Sequence, residues 1–397
     1  MTGLARRIDA ATPKHRDRAI DGLRALAILG VVVGHWLVMA LTVDGHGALT
    51  VTSPLIHLSG LAPASWVLQM LGLFFLVGGY ASAKSLARAE SYRGWLRTRL
   101  LRLARPVAAA TAVLGLALPL LALAGVPAGT LRTTAVLVIQ PMWFIGIYAV
   151  VTALTPVAVA LDRKLRGWAA LPALVAVAGV DLLRYGPWHD AVPGWVGLLN
   201  LLPGWSFAYL LGVAWAHGRI TRRAAALLAA GGFALALLLV LRFGYPVSMV
   251  GVPGDPRTNS HPPSLLVLTL AAAQSGLAIL LRDRLARLLA RPRLWAGVAL
   301  LNLSAMTVFC WHQIALVSLS GAAQAVAHRV PGLHDTPSGL GWLAHRIAWF
   351  PVYALVLAGY VLLARRAEGP WRGLPRPVIA IVVALAAGFG GYTLCAA

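Results

Sequence analysis

Charge is scarce in this chain: only 12% of its 397 residues are Asp, Glu, Lys or Arg, about half the share of an average soluble domain. That scarcity excludes a water-facing globular surface for most of the sequence. Acidic residues are the rarer sign, 12 against 34 Lys plus Arg, for a formal net charge of +22. Cysteine is nearly missing. Cys310 and Cys395 both lie in apolar surroundings, so neither a disulfide framework nor a cysteine-based metal site is implied. Zinc-ligand spacing is missing too: His46, His57, His189 and His261 are scattered, without i,i+4 or paired placement, and read as solvated loop histidines. Gly78-Gly79 lacks the strand–turn–helix setting of a phosphate loop. No internal repeat is visible, nor a matched pair of Gly/Pro-broken helices, the usual pointer to an inverted-repeat transporter.

What the chain does have is apolar length, with 59% hydrophobic residues. Stretches long enough to cross the ~30 Å hydrocarbon core recur throughout. They are expected near 25–43, 66–83, 107–126, 133–161, 169–183, 195–216, 224–243, 264–281, 294–320, 342–364 and 377–396. The expected fold is therefore all-α, a polytopic integral membrane helical bundle of about 10–11 transmembrane helices with the N-terminus cytoplasmic, located in the cell membrane. Residues 1–19 form a basic cytoplasmic segment and 20–397 one membrane-embedded domain. The first run is longer than a signal-peptide core and is read as an uncleaved anchor.

Lys and Arg fall in alternate loops, as around Lys84–Arg105, Arg163–Arg166, Arg219–Arg223 and Arg282–Arg293, while the intervening loops hold few. This is the pattern of the positive-inside rule. It assigns the basicity to topology and to anionic membrane lipid, and no nucleic-acid partner is expected. Segment 42–65 is without Lys or Arg, and 244–263 is rich in Pro and Gly, so both suit an outward-facing mouth.

An ionisable residue inside a span is a functional candidate because its burial is costly. His35 lies 14 residues beyond Asp21, or roughly 21 Å along a helix at ~1.5 Å per residue, toward the outer half. Imidazole can take a proton from a hydroxyl and return it to a leaving group; the alternative is a structural histidine bonded to a neighbouring helix. His312, within Cys310-Trp311-His312-Gln313, has the same two readings. Arg24, 11 residues before His35, either snorkels to the headgroups or contacts phosphate. Arg99, Arg102 and Arg105 recur every three residues and share one helical face. Three guanidinium forks there can hold the phosphates of a nucleotide-like donor or bind lipid. Trp143 is a pore-lining or a packing ring. Asp181 and Arg184 are i,i+3 neighbours, which a local ion pair explains.

The stretch Ile20-Asp21-Gly22-Leu23-Arg24 followed by His35 resembles the opening of the acyltransferase 3 family of integral membrane O-acyltransferases. Phe74-Phe75-Leu76-Val77-Gly78-Gly79-Tyr80 resembles its Phe-Phe…Ser-Gly-Phe/Tyr motif, with Gly78 replacing Ser. The run Arg99 to Pro106 resembles its Arg-x-x-Arg…Pro motif, Met142-Trp143-Phe144 its Leu-Trp-Phe motif, and Ser304…His312 its late Ser…Tyr-x-x-His segment. The resemblance implies transfer of an acyl group from acyl-CoA, commonly acetyl-CoA, to a hydroxyl of a sugar, glycan or small-molecule acceptor. Acyl-CoA would be a co-substrate, with no permanently bound cofactor and no metal. His35 matches the essential histidine, as general base or acyl relay. Arg24 and either Arg99 with Arg102 or Arg102 with Arg105 would bind the donor, and Trp143 and His312 the acceptor side. The rival reading is a proton-coupled transporter or flippase using His35, His312 and Asp181.

Overall fold

The computed structural model describes residues 2–13, 16–187, 189–255, 257–326 and 330–367. The expected last span 377–396 and Cys395 lie outside the described residues. The fold is all-α and polytopic: among the described residues nine helices are long and apolar enough to cross a membrane. The count falls below the expected 10–11 for two reasons. Segment 377–396 is not described, and the expected span 169–183 is a helix of only 15 residues, Leu171–Tyr185.

Proline explains most, though not all, of the places where apolar runs break. The expected span 133–161 divides into Ala128–Ile139, a 3₁₀ turn Gln140–Met142, Trp143–Ala153 and Thr155–Leu165. Pro141 and Pro156 each lack the N–H a continuous helix needs. The span expected at 342–364 breaks before Pro351 into Leu340–Ala348 and Phe350–Ala367, and the one at 294–320 breaks at Ser304. Conversely, the basic run 92–106 and the span after it form one helix of 32 residues, Tyr92–Leu123, with Pro106 and Pro119 inside it.

Two compact units emerge. The first comprises 1–31, 61–96 and 147–303. Its centre is the pairing of Leu71–Leu86 with Leu201–Ala216, where Phe75 stacks on Trp205 at 5.5 Å. A Cβ at Gly79 would collide with the Tyr209 carbonyl, and one at Gly212 with the Leu76 carbonyl, so the two backbones touch. Buried Asp162 binds His217 Nδ1 at 2.6 Å and Arg219 Nε at 2.8 Å, which pins Thr155–Leu165 to the end of Leu201–Ala216. Segment 244–263 is anchored by Asn259, whose amide donates to the carbonyls of Pro246 and Ser248.

The second unit comprises, among the described residues, 32–60, 97–146, 304–326 and 330–367. Leu114, Val138, Ile139 and Ile314 pack together in it. The segment expected as an open mouth contains an antiparallel hairpin, Ala40–Val43 with Leu49–Thr52. Its turn is closed by Asp44, whose carboxylate accepts the N–H groups of His46 and Ala48 at 2.9 Å each. Those two bonds hold the Asp44 carboxyl below its usual pKa of 3.8.

Candidate active site

The helix Arg18–Val38 carries His35 near its end, and Ala305–Val326 carries His312. Inside the second unit the two imidazoles meet, with His35 Nδ1 at 2.7 Å from His312 Nε2. The rings lie nearly parallel, centroids 4.9 Å apart and planes 14° from each other. His312 is wholly buried and His35 half-buried.

Valence decides the tautomers. His312 Nδ1 stands 2.6 Å from the Phe309 carbonyl, which can only accept, so this nitrogen carries the hydrogen. In neutral His312, Nε2 is then a lone-pair acceptor, and His35 Nδ1–H donates to it. His35 Nε2 in turn holds a lone pair, the form a proton acceptor needs. Trp36 fixes the pair from the side by donating its indole N–H to the His312 carbonyl at 3.1 Å.

Aromatic rings continue from the histidines. Phe309 lies 5.8 Å from His312 and 5.2 Å from Phe144, and Phe144 meets Trp143 edge-on at 6.3 Å. Trp143 thus belongs to the same unit as the histidine pair and adjoins it through two phenyl rings.

The arginines are disposed differently. Arg24 Nη1 donates to Asp21 at 3.3 Å, and Asp21 also receives Arg16 Nε at 2.6 Å. Its observed contact is a carboxylate at the start of the same helix. Arg99, Arg102 and Arg105 occupy one helix, at the expected three-residue spacing. Arg102 is exposed and Arg99 half-buried. Arg105 is half-buried, and its buried Nε has no acceptor among the described residues.

Three residues of the second unit escaped sequence reasoning. Arg346 reads as an outer helix-end cation yet is fully buried. Tyr353, also fully buried, is bonded to it at 2.6 Å. Gln313, next to His312, is 1% exposed, and neither of its amide atoms has a partner among the described residues. The available signal was polarity inside a span, the same one that singled out the histidines. Asp181 corrects the expected ion pair: its partners are Asn200 Nδ2 at 2.9 Å, Tyr245 OH at 2.9 Å and Leu265 N–H at 2.7 Å. Arg184 lies over the Tyr185 ring instead.

A family model described as an acyltransferase domain matches residues 17–365, nearly the whole chain. Neither a search of curated proteins nor one of solved structures yields a match.

Proposed function

Because the chain belongs to the acyltransferase 3 family, we propose that this multi-pass membrane acyltransferase moves a short acyl group from cytoplasmic acyl-CoA to a hydroxyl of a sugar, glycan or other small acceptor. The observation that carries the reading is the 2.7 Å bond between His35 Nδ1 and His312 Nε2, with the tautomer set by the Phe309 carbonyl. It gives His35 Nε2 the lone pair of a general base.

In the proposed step, Nε2 accepts the proton of the acceptor hydroxyl while its oxygen attacks the thioester carbonyl carbon. The tetrahedral intermediate then collapses, the C–S bond breaks, and the proton passes from Nε2 to the departing sulfur. The products are an ester and CoA thiol. His312 supports the transient imidazolium of His35, because its neutral Nε2 accepts the Nδ1–H that becomes more acidic when His35 is charged.

For the donor we favour Arg102 with Arg105, since a buried guanidinium Nε–H without an acceptor suits an anionic ligand. Arg24 serves the same end in this reading only if a phosphate competes with Asp21. Trp143 would line the acceptor side beside Phe144. The family match over residues 17–365 runs through both units, which supports reading 20–397 as one acyltransferase domain; its place in the cell membrane, with the basic segment 1–19 in the cytoplasm, rests on the alternation of Lys and Arg between spans. The transporter alternative finds no support in the family match.

The test is to purify wild-type and His35→Ala protein, confirm that both are monodisperse, and measure acetyl-CoA binding and slow hydrolysis. Retained binding with lost turnover is expected. A wild-type protein that neither binds nor turns over any short acyl-CoA would sink the donor assignment.

A further inference from the structure

We infer that Arg346 is the positioning residue of the histidine pair, the group that fixes where the end of the His35 helix stands. Its importance for acyl transfer rests on the proposed function, whereas its effect on His35 geometry does not.

The helix Arg18–Val38 ends three residues after His35, and the last carbonyls of a helix have no partner within it. Arg346 supplies partners. Its Nε–H donates to the Trp36 carbonyl at 2.7 Å and its Nη2 to the Met39 carbonyl at 2.5 Å. Its Nη1 donates to the Gly332 carbonyl at 3.0 Å and the Tyr353 hydroxyl at 2.6 Å. Trp36 directly follows His35, and the Met39 N–H closes on the His35 carbonyl at 2.9 Å. One guanidinium therefore grips the backbone just beyond His35 twice.

Trp36 passes that grip to the second histidine. Its indole N–H holds the His312 carbonyl, while its ring lies against Tyr353 at 5.2 Å and Phe350 at 5.8 Å. Arg346, Trp36 and Tyr353 thus tie the His35 helix end to the His312 helix and to Phe350–Ala367 at once. Four of the five guanidinium hydrogens go to neutral oxygens of the chain, which identifies a structural cross-brace and leaves little capacity for an anionic ligand. A cation there also suits the negative end of the helix dipole. Lysine cannot substitute, because three hydrogens on one nitrogen do not span acceptors spread around a planar fork.

The experiment compares wild type, Arg346→Met, Arg346→Ala, Arg346→Lys and the milder Tyr353→Phe, each checked for monodispersity. The first readout is independent of acyl transfer: the rate at which diethyl pyrocarbonate modifies His35, followed by mass spectrometry. Arg346→Met should raise it several-fold by loosening the Nδ1 bond to His312, Arg346→Lys should resemble it, and Tyr353→Phe should move it less. The second readout is acetyl-CoA turnover. A misplacement of about 1 Å predicts a kcat loss of roughly a hundredfold in Arg346→Met, with donor Kd and KM kept, and added guanidinium ion should partly restore Arg346→Ala. Wild-type His35 reactivity in monodisperse Arg346→Met overturns the inference. So does a loss of turnover without a change in that reactivity. If the Arg346 variants aggregate, Tyr353→Phe decides, and unchanged reactivity there overturns it. Should wild type show no turnover while reactivity still follows Arg346, the acyl-transfer reading fails and the positioning role stands.

Discussion

Asp181 in the first unit and His312 in the second are both almost completely buried, at 2% and 0% exposure, but their hydrogen bonds end differently. Both oxygens of Asp181 are matched by an amide, a phenol and a backbone N–H at the start of Leu265–Leu288. Burial beside that carboxylate also raises the Tyr245 phenol above its usual pKa, so it stays a donor. His312 instead hands its lone pair to His35, and a second lone pair emerges on His35 Nε2. Burial of a polar group is thus no mark of chemistry by itself. A proton-accepting valence relayed from one buried imidazole to the next is the better sign.

The largest effect that tests this contrast is on turnover. His35→Ala should lower acyl transfer by about 10²–10⁴-fold, the range for loss of a general base, with a stability loss limited to about 1–3 kcal/mol for the one acceptor it orphans on His312. Asp181→Ala should act mainly on stability. It orphans three donors, costs about 1–3 kcal/mol or more of stability, and leaves kcat of the folded fraction near wild type. An Asp181→Ala protein that is stable but inactive would erase the contrast. Next comes Gln313, whose amide has no partner at either end among the described residues. Gln313→Leu should stabilise the protein by about 1–3 kcal/mol, the cost of the unmatched group, while lowering turnover. Greater stability at unchanged activity would remove Gln313 from the site.

A smaller effect is expected at the donor end. Arg105→Gln should raise the KM for acyl-CoA several-fold and leave kcat nearly intact; an equal loss from Arg99→Gln alone would favour the other arginine pair. The smallest concerns the hairpin turn at Asp44. Its folded pKa lies below the unfolded 3.8, so its anionic form contributes stability that is fully present above about pH 4 and is lost as the pH falls through the lower folded value. Proteolysis within 40–52 should therefore rise below that pH in wild type. In Asp44→Asn that dependence should be absent.

Hydropathy and length made most helices legible, because each span must satisfy its backbone internally. They are blind to a missing N–H, so the breaks at Pro141, Pro156 and Pro351 interrupt runs that look continuous by composition. His35 and His312 could each be found as polar residues within spans. Their bond could not, since 277 positions separate them. Arg346 sits where an arginine ordinarily reaches the headgroups, and only the fold turns it inward. Asp181 suggested a partner three residues away, yet its carboxylate is completed by residues up to 84 positions distant.

The contact at Gly79 and Gly212 also limits how this protein can change over generations. Where two side chains crowd each other, a larger one can be accommodated by trimming its neighbour. Here each glycine faces main-chain carbonyl rather than side chain, at Tyr209 and Leu76. The peptide backbone offers nothing to trim, so no second substitution opposite can make room for even a methyl group. Gly79 lies in the Phe74–Tyr80 stretch, and packing accounts for the glycine there. In a randomised library those two positions should return glycine alone, while the phenylalanines beside them vary.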